Sequence, residues 1–153
     1  MPDPDDVISV ERVIPAPPDK IFDLLADPGR HHDIDGSGTV RDAKDSPDRL
    51  SLGATFGMSM KMGVPYSMVS TVVEFDENRR IAWQTRGPGK FGGKFGGRIW
   101  RYELEPVDGG TLVRESWDIS QEKFKILVEP MRAKNRKGMA ETLARIEDVV
   151  TST

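Results

Sequence analysis

One glutamate towards the end of the chain has the setting of a proton donor or acceptor. Glu115 lies in the stretch VRESWDI, where it alternates with Val113 and Trp117. Alternate residues of a strand share one face, so a strand here would place the carboxyl group among apolar and aromatic side chains. Burial disfavours an ionised carboxyl and prepares it for proton transfer. The alternative is that Glu115 faces outward and pairs with an arginine of a neighbouring strand, and the sequence leaves both open.

Two further groups of side chains could line a pocket for an apolar ligand. The aromatic group lies on three predicted strands and comprises Trp83, Trp100, Tyr102 and Trp117. The second group shares one face of an earlier strand with Phe56 and comprises Met58, Met60 and Met62. Tyrosine and tryptophan bring polar atoms to an apolar wall, and methionine adapts to ligands of different shape. We expect both groups to contact ligand, although packing in an ordinary core explains them as well.

The segment 86–100, RGPGKFGGKFGGRIW, is rich in glycine and has no acidic residue. Gly87, Gly89 and Gly92 form a GxGxxG pattern, which binds dinucleotide phosphates when a helix follows it. Here another strand is predicted to follow, so that helix is missing. The phosphate-binding motif GxxxxGK[ST] also fails, because Phe95 stands where serine or threonine is required. No nucleotide or other cofactor is predicted.

The same segment is better explained as a mobile flap over the mouth of a pocket. Its basic and aromatic residues alternate as Lys90, Phe91, Lys94 and Phe95, with Arg98 after them. In an antiparallel meander alternate connections lie at one end of the sheet. The flap would therefore lie near the basic start of the last helix, which carries Arg132, Lys134, Arg136 and Lys137. We expect these charges to attract an acidic ligand end, and a solvated hairpin loop is the alternative.

The two histidines of the chain, His31 and His32, are adjacent in the polar stretch GRHHDIDG. Adjacent side chains diverge in most backbones, and no third ligand is spaced to complete a facial or tetrahedral metal site. We therefore predict no metal and expect both histidines to lie in a solvated loop. The alternative is that one of them reaches a cavity as an acid or base.

The elements that must position these residues follow from apolar periodicity. A strand is predicted over 7–14, and a helix follows it from the prolines at 17 and 18 to about residue 26. The apolar period then becomes two, which predicts six strands at 39–44, 52–62, 66–76, 79–86, 98–106 and 111–119. Their short connections are typical of an antiparallel meander.

A long amphipathic helix is predicted at the end of the chain. Its apolar residues recur at spacings of four, three and four, as Met139, Leu143, Ile146 and Val150. The predicted fold is α+β, a curved antiparallel sheet of about seven strands wrapped around this helix, with two short helices after the first strand. We expect a single domain over residues 1–153, because the length suits one domain and no linker divides it.

Three stretches of this chain resemble the START/SRPBCC superfamily of polyketide cyclase/dehydrase-like, lipid-transfer and birch-pollen-allergen proteins. They are VIPAPPDKIFDLLADPGR near the start, IWRYELEPVDGGTLVRESW over two late strands, and NRKGMAETLARIEDVV in the last helix. The resemblance implies a helix-grip fold with an internal apolar cavity between sheet and helix. It does not imply a reaction, since members include binders, carriers and enzymes. Many relatives carry a tryptophan after the Asp-Pro pair, where this chain has HHDID.

Composition narrows the classes of partner. The formal charge of −3 argues against nucleic-acid binding, and the absence of cysteine excludes disulfides and thiolate nucleophiles. No apolar run reaches the length of a membrane span, and the acidic start MPDPDD lacks the apolar stretch of a signal peptide. We expect a cytoplasmic protein without integral membrane association, and the sequence predicts no oligomeric state.

The leading hypothesis is a protein that binds an apolar or aromatic, possibly acidic, small molecule such as a lipid or polyketide in an internal cavity. One alternative is an enzyme of the polyketide cyclase or dehydratase type, with Glu115, Tyr102 or a histidine moving protons. Another is an interaction module whose basic flap meets an acidic partner protein. Binding leads because no complete catalytic constellation is visible in the sequence.

Overall fold

A computed structural model of the chain describes residues 6–36, 40–44, 47–62, 64–86, 96–122 and 125–152. For residues 40–44, 58–62, 64–67 and 127 the description covers the backbone alone. The described strands are β1 (Val7–Ile14), β2 (Val40–Lys44), β3 (Thr55–Met62), β4 (Val64–Asp76), β5 (Arg80–Arg86), β6 (Gly96–Val107) and β7 (Gly110–Asp118). They form one antiparallel sheet in the order β1-β7-β6-β5-β4-β3-β2.

The described helices are α1 (Pro18–Leu25), α2 (His31–Ile34), α3 (Lys125–Val128) and α4 (Arg132–Thr151). The long helix α4 packs on β1, α1 and α2. The curved antiparallel sheet and this C-terminal helix confirm the predicted α+β helix-grip fold. Within the described segments, no helix combines the length and apolar character needed to cross a membrane.

Three strands begin two or three residues from the positions that the periodicity predicts, and one of them is β6, which begins at Gly96 rather than at residue 98. β3 begins at Thr55 rather than at residue 52, because residues 52 and 53 form a turn in which Gly53 has a φ of 83°. That left-handed conformation is accessible to glycine and interrupts an extended strand. β4 begins at Val64 rather than at residue 66, because Val64 and Pro65 still pair with the end of β3.

Helix α1 begins where two prolines suit a helix start. Pro17 is extended at the N-cap and Pro18 occupies the first turn, where a missing N–H removes no helical hydrogen bond. The helix buries one apolar face, made of Ile21, Phe22, Leu24 and Leu25. After it, the Asp27 carboxylate accepts a hydrogen bond from the Gly29 N–H at 3.0 Å and opens a short 3₁₀ turn. This turn leads directly into α2, which carries the histidines.

Helix α4 is held against the segment after α2 by a close backbone approach at Gly36. A Cβ atom at Gly36 would lie 2.3 Å from the Gly138 carbonyl oxygen, so only glycine fits there. The Gly36 N–H donates to Thr142 Oγ1 at 2.8 Å, and Arg145 donates to the Asp35 carbonyl at 2.8 Å. The four predicted apolar residues of α4 are buried, and Thr142 is buried with them. α2 and α4 are therefore joined over the sheet.

The two faces of the sheet differ in chemistry. The inward positions of the central strands are buried and mostly apolar, among them Ile81, Trp83, Tyr102, Leu104 and Val113. An ion-pair network covers the outward positions, where Arg101 contacts Glu74 at 2.6 Å and Asp118 at 3.6 Å. The core therefore lies between the concave face of the sheet and the helices α1 and α4. A binding site inside the core would be lined by the inward side chains of the strands.

Candidate functional site

Glu115 lies inside the core, at the middle of β7. It pairs with Val10 of β1 on one side and with Tyr102 of β6 on the other. Only 2% of Glu115 and 5% of Tyr102 is exposed. The Tyr102 hydroxyl is close enough to the Glu115 carboxyl group for each to shift the pKa of the other, whereas Glu115 Oε1 has no hydrogen-bond partner among the described residues. The strand alternation thus predicted the burial of Glu115 correctly, and its role stays a prediction.

The environment of this pair favours its protonated forms. Burial raises the pKa of Glu115 well above its ordinary value, the neighbouring Tyr102 hydroxyl opposes that change, and the negative charge of Asp35 adds to it. Burial also raises the pKa of Tyr102, and the charges of Glu115 and Asp35 raise it further. A carboxylic acid and a phenol therefore stand side by side, both able to donate a proton.

An aromatic row continues from Tyr102 across the sheet. The Trp83 ring lies 5.6 Å from Tyr102 and 4.9 Å from the His31 imidazole, measured between ring centroids, and it stacks on the imidazole. Phe56 meets both Trp83 and His31 edge-on, at 5.6 and 5.5 Å. These contacts make an aromatic wall that extends from Phe56 on β3 to Tyr102 on β6.

The expectation of a solvated histidine pair is wrong for His31. His31 is 7% exposed and its Nε2 lies 2.8 Å from the Leu25 carbonyl oxygen, which can only accept, so Nε2 carries the proton. Burial lowers the pKa of His31, which favours the neutral ring. His32 points outward and contacts Asp33 at 3.1 Å. The signal for this burial was Ile34, three residues after His31 on the same face of a helical turn.

A second aromatic pair lies along the strands from Glu115. Trp100 and Trp117 face each other across β6 and β7, with ring centroids 6.3 Å apart. Trp117 is fully buried in an apolar cluster that includes Ile8 and Met139. Its indole Nε1 has no hydrogen-bond partner within the described part of the chain. Neighbouring inward positions of β7 therefore both hold buried polar atoms that lack a partner.

Other residues proposed from the sequence lie where the description is limited. Met58, Met60 and Met62 lie on β3, whose backbone pairs with β4, and their side chains are outside the described residues. The flap residues Lys90, Phe91, Lys94 and Phe95 also lie outside the described residues. Their contact with a ligand or with an acidic protein stays a prediction.

The described end of the glycine-rich segment, from Gly96 onward, is held by close backbone packing and an ion pair. Arg98 Nε donates to the buried carboxylate of Glu122 at 2.9 Å, so its charge is paired rather than available to a ligand. Gly97 has a φ of 114°, and a Cβ atom there would lie 2.5 Å from the Gln121 carbonyl oxygen. Gly96 has a similar φ and would meet the Thr85 carbonyl oxygen at 2.6 Å. Close backbone packing therefore requires these two glycines.

The described residues also line a groove of about 570 Å³ away from the aromatic wall. Its lining is mainly charged, and its side chains pair with one another: Arg80 contacts Glu103 at 3.0 Å and Arg114 contacts Glu11 at 3.0 Å. These pairs stabilise the outer surface and leave little apolar area for a ligand. Among the described residues, no three histidine or acidic side chains are grouped to hold a metal ion.

Comparison with known proteins extends the resemblance. Residues 6–151 match the family described as polyketide cyclase / dehydrase and lipid transport. The uncharacterized protein Rv0088 of Mycobacterium tuberculosis is 33% identical over 144 residues, which is 88% of this chain and 60% of that protein. The chain thus spans about three fifths of the length of the curated relatives it matches.

Two solved structures share the fold. Ms6760 of Mycobacterium smegmatis superposes with a TM-score of 0.72 at 18% identity, over 99% of this chain and 96% of that one. DynU16, from the dynemicin biosynthetic locus, superposes with a TM-score of 0.69 at 15% identity, over 97% of this chain and 48% of that one. At such identities the likeness concerns the fold alone. The match of sequence and fold confirms the polyketide cyclase/dehydrase-like resemblance.

Proposed function

The chain belongs to the polyketide cyclase / dehydrase and lipid transport family, and on that premise we propose that it binds an apolar or aromatic small molecule between the concave face of the sheet and α4. The observation that carries this proposal is the pair of buried atoms on β7, Glu115 Oε1 and Trp117 Nε1, that lack a partner among the described residues. The aromatic wall of Phe56, Trp83 and Tyr102 lies beside them.

Unpartnered buried polar atoms are costly, and this cost supports a ligand. Each one left without a hydrogen bond destabilises a fold by about 1–3 kcal/mol, and most buried polar atoms are paired for that reason. Glu115 and Trp117 stand two residues apart on one face of β7. A bound molecule that supplies both hydrogen bonds would offset the cost. Ligand sites commonly combine such a few polar groups with an apolar lining.

Native mass spectrometry of protein purified from its own host tests the proposal. We expect the folded protein to carry a small molecule that is released on denaturation. Trp117→Phe removes the indole N–H and should reduce the bound fraction. Glu103→Gln is the matched control, because this side chain faces outward and pairs with Arg80. Protein without an adduct that also binds no apolar probe would contradict binding, whereas equal retention of the molecule by both variants would mean that the Trp117 indole N–H does not hold it.

A second candidate function is a cyclase or dehydratase reaction, and the contact between Glu115 and Tyr102 favours it. A protonated carboxyl group can donate its proton to a carbonyl oxygen under attack or to a departing hydroxyl, and the carboxylate that remains can take up the proton that the substrate carbon loses. The Tyr102 hydroxyl beside it would then stabilise the charge that develops on the carboxylate. DynU16, from a biosynthetic locus, shares this fold, and this supports the chemistry by analogy only.

An aromatic β-hydroxyketone tests this second function, since dehydration is detected as the loss of one water by mass spectrometry. Loss of the proton donor in Glu115→Gln should slow turnover by about a hundredfold or more. Probe binding should change little, because glutamine has nearly the same shape, and the melting temperature should not fall. Turnover that is equal in Glu115→Gln and the wild type would remove Glu115 from the chemistry, and absence of turnover in the wild type would contradict this second function and leave binding.

A further inference from the structure

The two unpartnered atoms on β7 differ in what they can bind. An indole N–H is a donor and cannot accept, so Trp117 Nε1 requires an acceptor on the ligand. A protonated carboxyl group can donate and accept, so Glu115 can pair with either kind of atom. A hydroxyl or carbonyl oxygen satisfies both side chains. An ammonium group, which offers only donors, leaves Trp117 without a partner.

The geometry of the sheet places the two atoms in one patch. Glu115 and Trp117 are successive inward residues of β7, about 7 Å apart along the strand. Tyr102 and Trp100 stand directly opposite them on β6. Four side chains on two neighbouring strands therefore frame an area about as large as a fused aromatic ring system. A ring lying there would stack on aromatic side chains and direct its substituents towards β7.

The charges around the patch disfavour an anion. The negative charge of Asp35 acts on both Glu115 and Tyr102. Among the described arginines near the concave side, Arg12 pairs with Glu147 at 3.2 Å and Arg98 with Glu122 at 2.9 Å. A carboxylate or phosphate entering the patch would lose its own hydration and meet the negative charge of Asp35.

We propose that the ligand presents an uncharged oxygen, as a hydroxyl or carbonyl group, to Trp117 Nε1 and Glu115, and that the patch selects against carboxylate and phosphate groups. This inference rests on the proposed binding function and narrows its ligand class. It differs from the acidic ligand expected from Lys90 and Lys94, because it follows from the buried groups rather than from the flap residues.

Equilibrium dialysis with matched probes tests the inference near neutral pH. The probes are naphthalene, 2-naphthol and 2-naphthoate, which share one ring system and differ in the polar group. One or two additional hydrogen bonds should make 2-naphthol bind about tenfold more tightly than naphthalene. The anion 2-naphthoate should bind more weakly than either. 2-Naphthylmethylamine, cationic at this pH, should bind more weakly than 2-naphthol.

Variants assign the preference to the two side chains. Trp117→Phe should lower the affinity ratio of 2-naphthol to naphthalene, while Glu103→Gln, an outward substitution on the neighbouring strand, should retain the ratio. If Trp117→Phe does not fold, as judged by circular dichroism, Glu115→Leu serves as the second variant and should also lower the ratio. A ratio is used because removing part of a buried ring can change the space for the naphthyl group itself.

The outcomes separate this inference from the function on which it rests. Equal binding of naphthalene and 2-naphthol overturns the proposal that the ligand presents an uncharged oxygen. It would mean that the ligand supplies neither hydrogen bond to Trp117 and Glu115. The proposed binding of apolar molecules would still stand. Tightest binding of 2-naphthoate or of the amine also overturns it. Absence of binding by all four probes overturns the proposed binding function itself.

Discussion

The free energy of unfolding of the Glu115→Gln variant, compared with that of the wild type, should increase as the pH rises. Glutamine has nearly the shape of a protonated glutamic acid but cannot ionise. Glu115 is 2% exposed, and burial raises its pKa well above the ordinary value of 4.5. The wild type must therefore either keep a proton on Glu115 or bury a charge in the folded state, and the variant is free of both requirements.

The size of the effect follows from proton linkage. Between the unfolded pKa, near 4.5, and the raised folded pKa, the folded wild type binds one proton more than the unfolded chain. Its free energy of unfolding then falls by about 1.4 kcal/mol for each unit of rising pH. The Glu115 contribution is fully present below the unfolded pKa and is lost as the pH rises to the folded pKa. The advantage of Glu115→Gln should grow at that rate and then level off.

Urea denaturation followed by tryptophan fluorescence, repeated from acid to mildly alkaline pH, measures this difference. Comparing variant with wild type at each pH cancels the titration of groups common to both chains. Glu105→Gln is the matched control, because its side chain is exposed on the neighbouring strand. The pH at which the difference levels off reports the folded pKa of Glu115.

Three results would refute this reasoning. A difference that does not change with pH would mean that Glu115 has the same pKa in the folded and unfolded chain. A wild type that gains stability over the variant with rising pH would mean that a cation stabilises the ionised carboxylate. A similar pH-dependent difference in Glu105→Gln would show that burial is not its cause.

Three further predictions concern the elements that hold the site. Gly36→Ala should destabilise the fold by about 1–3 kcal/mol in urea denaturation, because its Cβ would lie 2.3 Å from the Gly138 carbonyl oxygen. Arg98→Leu should cost about 3 kcal/mol, because it leaves the buried Glu122 carboxylate without its partner, and adding Glu122→Leu should recover most of that loss. His31→Leu should flatten the acid side of the stability curve. Burial lowers the folded pKa of His31, so the wild type loses about 1.4 kcal/mol per pH unit as the pH falls below 6.5, until the folded pKa is reached.

Each of these predictions has a control in the chain. Gly29→Ala is the control for Gly36→Ala, since a Cβ there would lie 3.2 Å from the flexible Asp27 side chain, and equal losses would contradict the role of close packing. If Arg98→Leu with Glu122→Leu is as unstable as Arg98→Leu alone, the loss of stability does not come from leaving the Glu122 carboxylate without its ion-pair partner. His32→Leu should retain the acid slope, because His32 is exposed.

The positions of the main elements were predictable from local patterns. The bounds of β1 agree with the alternation over 7–14, and the four apolar residues predicted for α4 are its buried apolar residues. Local sequence suffices here because periodicities of two and of about 3.6 record which side of each element is buried. The same alternation placed Glu115 inward beside Trp117.

Only the tertiary structure decided the surroundings of His31. The stretch GRHHDIDG is polar and carries no extended period, so the sequence predicted a solvated loop. Burial of His31 depends on Trp83, a ring more than fifty residues away, and on the docking of α2 against α4 at Gly36. Contacts between elements so distant along the chain leave no mark in the local pattern around the histidines.

The sequence by itself determined that one face of a sheet would be apolar and aromatic, with a carboxyl group in it, because side-chain alternation is a local property of a strand. It did not determine which groups would meet there. The Tyr102 hydroxyl on Glu115, the negative charge of Asp35 nearby and the unpartnered Trp117 Nε1 all depend on strand register and on the packing of helices over the sheet. Register and packing are set by the whole chain, since hydrogen bonding and burial are satisfied between residues far apart in sequence.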